Sequence, residues 1–238
     1  MCAAVTRSRP LVLASAVAAA LLCNYWALED LLADRTNFDR SWISDLSTRS
    51  EGSGAIFVAL GVASGLAVAA YALVLLCGPL GGRRPWVRRG LLALLAAGAM
   101  IVLASAAPLS CAEGLEANCT LQVDGLDVFH SVATGGEIIA TVLAFAFVGW
   151  GLRTVRPLLS RRQQPTNAGR SAGALGEIGA FTLVLGALWV ALTIVTGVSY
   201  LSHAVDELKG AFQRADQVAF GAWLLALAWA AAQDTGGG

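Results

Sequence analysis

The chain has 238 residues, 57% of them apolar and 13% charged, with a formal net charge of zero and a mean hydropathy of +0.67. That leaves too little polar surface to cover a water-soluble globule of this length, and no nucleic-acid partner is expected. The apolar residues collect instead into six stretches, 11–28, 55–77, 91–107, 132–152, 178–200 and 218–232. Most are near the roughly 20 residues that cross a bilayer as a helix. The expected fold is all-α, a polytopic integral membrane bundle of six transmembrane helices forming one domain, with a disordered tail at 233–238.

Charge is sorted by sign between the connections. Arg7 and Arg9 precede the first span, Arg83, Arg84, Arg88 and Arg89 lie between spans two and three, and Arg153, Arg156, Arg161, Arg162 and Arg170 lie between four and five. Eleven of the sixteen basic residues therefore share one side, while Arg35, Arg40, Arg49, Lys209 and Arg214 face thirteen acids on the other. The positive-inside rule then predicts a plasma-membrane protein with both termini cytoplasmic and the acidic loops outside.

The first span follows two arginines like a signal peptide but reads as an uncleaved anchor. No small-x-small site stands where cleavage is expected, and Leu22 occupies the position before Cys23 where a lipoprotein signal requires a small residue. The loop at 29–54 is the longest outer connection. Leu28, Leu31, Leu32 and Phe38 alternate there with acids, which predicts an amphipathic continuation at the interface, and Trp42 fits the aromatic belt. The Ser50-Glu51-Gly52-Ser53-Gly54 run breaks the chain before span two and offers Ser50 or Ser53 as a helix cap. The basic connections at 78–90 and 153–176, the second with Pro157 and Pro165, are expected against anionic headgroups.

Cys111 and Cys119 have seven residues between them in a loop assigned to the outside, where a disulfide persists and clamps the approach to span four. Cys2, Cys23 and Cys77 read as small apolar residues. The Ala, Gly and Arg bias suggests a GC-rich bacterial genome, so Asn118-Cys119-Thr120 is not expected to carry a glycan. Gly61 and Gly65, Gly135 and Gly136, and Gly179 and Gly186 are placed to let helices approach closely within one monomer.

Glu137 lies among Ile138, Ile139 and Ala140 in span four, and an ionisable group there is a candidate functional residue. His130 and Thr134 precede it by seven and three residues, so the three share one helical face. That face suits proton exchange or acid-base work, or else a hydrogen bond that fixes a packing register. A second polar cluster closes span five, where Thr193, Thr196, Ser199 and Tyr200 lead to His203, Asp206 and Glu207. Together with Ser44, Asp45 and Glu51 it supplies the groups of a metal-assisted hydrolase. No HxxxH, HExxH or CxxC spacing occurs and there are only two histidines, so neither a metal nor a cofactor is expected. Asn24 reads as an interhelical hydrogen bond.

The run Trp42-Ile43-Ser44-Asp45-Leu46-Ser47 before span two, the acidic loop after span three and the histidine opening span four resemble the bacterial and archaeal membrane family called domain of unknown function 998. The similarity covers about 11–232 and extends more distantly to the DRAM and Frag-type six-helix membrane proteins. It implies that Ser44, Asp45 and His130 occupy the positions of the family's Ile-Ser-Asp motif and helix-four histidine. Thr48-Arg49-Ser50-Glu51 stands where that family often has Pro and Gly. The resemblance implies a six-helix bundle and assigns no activity.

These features lead to an expected non-enzymatic membrane protein that binds a membrane lipid, or a membrane or envelope protein, in an outward-facing polar cleft. Ser44, Asp45, His130, Thr134 and Glu137 are its expected binding residues, under an outer cap made by the first loop and the Cys111 to Cys119 loop. The alternative is an intramembrane hydrolase of lipid or envelope substrates, with Asp45, His130, Glu137 and His203 as ligands or acid-base groups and Ser44 as nucleophile. A further alternative, a proton-coupled transporter centred on Glu137, lacks a visible inverted repeat.

Overall fold

The structure, a computed structural model, describes residues 9–33, 38–78, 80, 84–112, 116, 119, 125–154, 167–202 and 208–234. His203, Asp206, Glu207 and the last four residues of the expected tail lie outside the described residues. Among the described residues seven α-helices follow in order: α1 Arg9–Cys23, α2 Glu29–Leu32, α3 Gly54–Cys77, α4 Pro85–Ser105, α5 Gly125–Arg153, α6 Asn167–Ser202 and α7 Lys209–Asp234. Two 3-10 turns, Tyr25–Leu28 and Ile43–Ser47, lie in the first long connection. Among the described residues there is no strand. Helices α3 to α7 are long and apolar enough to cross a membrane, and the bent pair formed by Arg9–Cys23 and Tyr25–Leu32 makes a sixth span if counted as one.

The helices overrun the apolar stretches because backbone hydrogen bonding continues past the hydrocarbon edge. Arg88 and Arg89 thus belong to α4, which starts on Pro85 at a position where the missing N–H has no helical partner to lose. Lys209 and Arg214 belong to α7. Gln233 and Asp234, expected in the tail, continue that helix.

The first span is broken rather than continuous. At Asn24 the side-chain amide N–H donates to the Ala20 carbonyl (2.8 Å), and the Trp26 indole N–H donates to the Asn24 side-chain oxygen (3.2 Å). Asn24 therefore serves its own helix end instead of a neighbouring helix. The chain tightens into a 3-10 turn and bends by 58°. In the expected amphipathic segment the pattern is reversed, since Glu29 is buried and Leu31 is 80% exposed. Neither expected cap operates on α3: Ser53 makes no side-chain cap hydrogen bond, and the Ser50 hydroxyl donates to Glu116 Oε1 (2.5 Å).

Each long helix packs on its successor, α1 on α3, then α4, α5, α6 and α7, and α7 returns to α1. The bundle is a closed ring. Small residues set its spacing: a Cβ on Gly65 would sit 2.7 Å from the Gly98 carbonyl oxygen, and one on Gly98 would sit 2.7 Å from the Ala69 backbone nitrogen. Gly149 and Gly179 make the same kind of approach between α5 and α6, each facing the other's carbonyl. Away from the α1–α3 and α4–α5 connections the ring is filled by aromatic side chains. Phe145 lies 4.2 Å from Trp223 and 6.0 Å from Trp189 between ring centroids, and the Tyr71 hydroxyl donates to the Leu224 carbonyl across the ring (2.9 Å). Leu21, Val132, Ile139, Val184 and Trp229 project outward, as lipid-facing residues must.

Because rigid backbone, not a flexible side chain, faces Gly98, a Gly98→Val substitution forces α3 and α4 apart. Overpacking of this kind costs about 1–3 kcal/mol or more. Thermal unfolding in mild detergent should show a lowered midpoint for Gly98→Val and no loss for Gly135→Ala, where the added Cβ meets nothing within 4 Å.

Candidate functional site

The segment between α1 and α3 is held over the ring by the first turns of α7. Arg214, 1% exposed, directs Nε at Glu29 Oε1 (3.1 Å) and Nη2 at Glu29 Oε2, while Nη1 donates to the carbonyls of Phe38 (3.0 Å) and Ser41 (2.9 Å). A further, longer contact runs from Nη2 to the Ser41 hydroxyl (3.5 Å). The five N–H bonds of the guanidinium thus all have acceptors. Its plane lies beside Trp26 and Phe38, 5.8 and 4.9 Å from the ring centroids. Gly210 donates its backbone N–H to the Asp39 carbonyl (2.7 Å) and packs against the Phe38 and Ser41 carbonyls too closely for any side chain. One turn on, Gln213 Oε1 accepts the Ile43 N–H (2.6 Å).

This placement makes the Trp42 to Ser47 run a 3-10 turn with Asp45 as its internal clasp. The Asp45 carboxylate is buried and accepts the Trp42 N–H (2.8 Å), while the Asp45 carbonyl accepts the Thr48 hydroxyl (3.0 Å). The α4–α5 connection docks on the α1–α3 connection. Cys111 and Cys119 form a disulfide with Cα atoms 5.8 Å apart, and the Arg49 N–H donates to the Leu109 carbonyl (3.0 Å). Cys77, expected as a small apolar residue, is also disulfide-bonded. Asp127, in the first turn of α5, accepts the Ser110 N–H (3.0 Å) and hydroxyl (2.8 Å) and stands 3.7 Å from the Arg49 guanidinium.

Between these loops and the aromatic filling lies a cavity of about 510 Å³. All six long helices and the 42–47 turn contribute to its wall. His130, Thr134 and Glu137 line it from one face of α5, Ser44 joins them from the 42–47 turn, and Thr193 and Thr196 from α6. Asp45 is not among the lining residues; it positions the turn that carries Ser44. His130 Nδ1 lies 2.9 Å from the Ala104 carbonyl and 3.0 Å from that of Ala107. Both partners only accept, so Nδ1 carries a proton. The same contacts tie the end of α4 to α5, satisfying carbonyls that a helix C-terminus leaves open. Among the described residues no group of three His, Cys, Asp or Glu side chains is placed to hold a metal ion.

The chain matches the family described as "Protein of unknown function (DUF998)" over residues 13–230. It belongs to that family. No curated protein and no solved structure matches it. In this DUF998 protein the residues that carry the family resemblance divide in two: Ser44 and His130 border the cavity, and Asp45 braces its rim.

Sequence reasoning missed the contribution of α7. Gln213, Asp216 and Gln217 line the cavity, and Arg214, on the other side of the same helix, fastens the loop above it. Counting hydropathy started the sixth span at 218, after all four. The signal was present as polar residues at i, i+3 and i+4 on a segment running directly into an apolar helix. Cys23, Tyr25 and Ser64 also line the cavity, and as ordinary small or interfacial residues they carry no comparable sequence signal.

Removing one partner of a buried ion pair costs about 3–5 kcal/mol, because the other charge is left uncompensated. Arg214→Met should therefore lower the unfolding midpoint sharply and open the 38–47 segment to proteolysis. The paired Glu29→Leu/Arg214→Met change should recover part of the midpoint; a double variant as unstable as the sum of the singles would show the two residues to be uncoupled.

Proposed function

We propose that this protein is a lipid-binding membrane protein of the plasma membrane, which holds the head of a small amphiphile in the cavity beneath its two knitted outer loops. The observation that carries this reading is the cavity itself: about 510 Å³, walled by every long helix and bordered by His130, Thr134, Glu137 and Asp216. Ligand pockets for small molecules span about 300–1,000 Å³. A protein partner would need a broad surface rather than a pocket of this size, so of the two occupants consistent with the sequence the lipid is favoured. Ionisable residues are unfavourable within a membrane unless they serve a site or one another. Placement of four such or strongly polar groups around one hollow is economical only if the hollow is used.

Gly135 provides the test. It lines the cavity, and a Cβ there meets nothing within 4 Å, so the side chain of Gly135→Leu starts in open space and takes up part of the cavity. Native mass spectrometry from mild detergent should find a retained lipid on the wild-type protein and none on a stably folded Gly135→Leu variant. Equal retention by both would remove the cavity from the binding site.

The orientation that follows from the loop charges puts the cavity in the outer half of the bundle, with both termini in the cytoplasm. A membrane-impermeant maleimide applied to intact cells should then label Cys111 and Cys119 only after reduction, with the label lost in the Cys111→Ser/Cys119→Ser variant. Absence of labelling in reduced intact cells, with labelling after lysis, would reverse the orientation.

A further inference from the structure

We propose that the cavity is specific for a ligand carrying a primary ammonium group on an apolar body, with Asp216 and Glu137 as the ammonium-binding residues. This rests on the cavity being a ligand site, and it names what that site selects.

The wall holds two carboxyl groups, one imidazole and, among its described residues, no lysine or arginine. The cation nearest in sequence to Asp216 is Arg214, and its N–H bonds are engaged by Glu29, Phe38 and Ser41 outside the cavity. Residues two apart on a helix point to different faces, which is how α7 keeps the guanidinium in the loop and the carboxyl in the hollow. Asp216 is 6% exposed, and its Oδ1 has no hydrogen-bond partner. Its Oδ2 lies 3.2 Å from the Thr193 hydroxyl, but that hydroxyl also lies 3.0 Å from the Trp189 carbonyl and has one proton for both. Asp216 is thus buried with acceptor capacity that the protein does not fill. Thr196, 9% exposed on the same wall, likewise has an unbonded hydroxyl.

Buried polar groups without partners are rare in folded proteins, and two on one cavity wall point to a missing donor. An ammonium offers three N–H bonds and a positive charge to a wall of acceptors. A head whose only charge is a phosphate or carboxylate would face two carboxyl groups with no cation to offset them. Ile101, Ile138 and Trp189 supply an apolar surface for the body of the ligand. Two sources share this chemistry, an ethanolamine lipid head and a free alkylamine.

The experiment is calorimetric titration of the full-length protein in maltoside detergent with octylamine, octanol and octanoate. Octylamine should bind saturably and about tenfold or more tighter than octanol, as expected if charge-assisted bonds contribute at least one factor of ten, and octanoate should not bind. Asp216→Asn and Glu137→Gln should each bring octylamine to the level of octanol; if one variant fails to fold, the other and the wild-type series decide. Octanol or octanoate binding as tightly as the amine overturns the ammonium assignment and leaves the ligand site standing, as does an amine preference that survives both substitutions. Absence of octylamine binding overturns it as well, and if lipid retention is also unaffected by Gly135→Leu, the ligand site falls with it. Native mass spectrometry from equimolar phosphatidylethanolamine and phosphatidylglycerol then separates the sources. Retained phosphatidylethanolamine identifies a lipid head, and octylamine binding without it identifies a free amine, both in support.

Discussion

A guanidinium buried at the edge of a membrane bundle must find acceptors for all of its N–H bonds, and Arg214 finds them in a single segment of chain, between Glu29 and Ser41. That requirement shapes everything above the ring. It draws Glu29 inward against the local hydrophobic pattern and leaves Leu31 outside. It brings the carbonyls of Phe38 and Ser41 to the start of α7, where Gly210 alone leaves room for them. With those carbonyls in place, the Ile43–Ser47 turn lies across the ring and carries Ser44 to the cavity. Since α7 also packs on α1, the same residue helps join the last span to the first. The pair is a device for geometry more than for stability, because desolvating both charges offsets much of their attraction.

The ring below this roof has two unlike halves. Toward the second half of α5 its centre is occupied by Phe145, Trp223 and Tyr71, and glycines draw the walls together at the α3–α4 and α5–α6 crossings. Toward the loops the filling stops, and the wall carries hydroxyls, amides, an imidazole and carboxyls. Gly135 marks the change. Gly65 and Gly98 have backbone where a side chain would go, whereas Gly135 has open space. Close packing in the hydrocarbon is the main source of helix association, so a hollow of this size forgoes contacts that larger side chains would have supplied.

How much of this was legible in the sequence depends on the physical signal each feature leaves. Six apolar stretches, the disulfide and the His130, Thr134 and Glu137 face follow from transfer free energy, compartment chemistry and helical period, and each is local. The bend at Asn24 was not legible, because an amide among apolar residues is equally suited to a neighbouring helix and to its own turn. Asp45 stood in the motif as a binding residue, yet a carboxyl three residues after Trp42 is also the spacing of a turn clasp, and only the fold distinguishes them. The role of α7 was hidden for a different reason. Averaging hydropathy discards the polar first turns of a span, and those turns here hold the residues that build the site. Arg214 and Glu29 are 185 residues apart, and no local pattern connects them.

The division of labour on α7 bears on what the cavity can accept. Four polar residues in little more than one turn, Gln213, Arg214, Asp216 and Gln217, would in isolation read as a neutral, self-paired surface. Their directions separate them. Gln213 and Arg214 are committed to the loop by bonds to the Ile43 N–H and to Glu29, and Asp216 is left facing the interior with one oxygen unbonded. The cation and the carboxyl that sequence proximity would pair are thereby kept apart, and the loop's own acid, Glu29, takes the guanidinium instead. What gives the roof its rigidity thus leaves the chamber beneath it with carboxyl groups and no basic side chain among its described lining residues. The polarity of the chamber is a consequence of how its lid is fastened, and the two belong to one design.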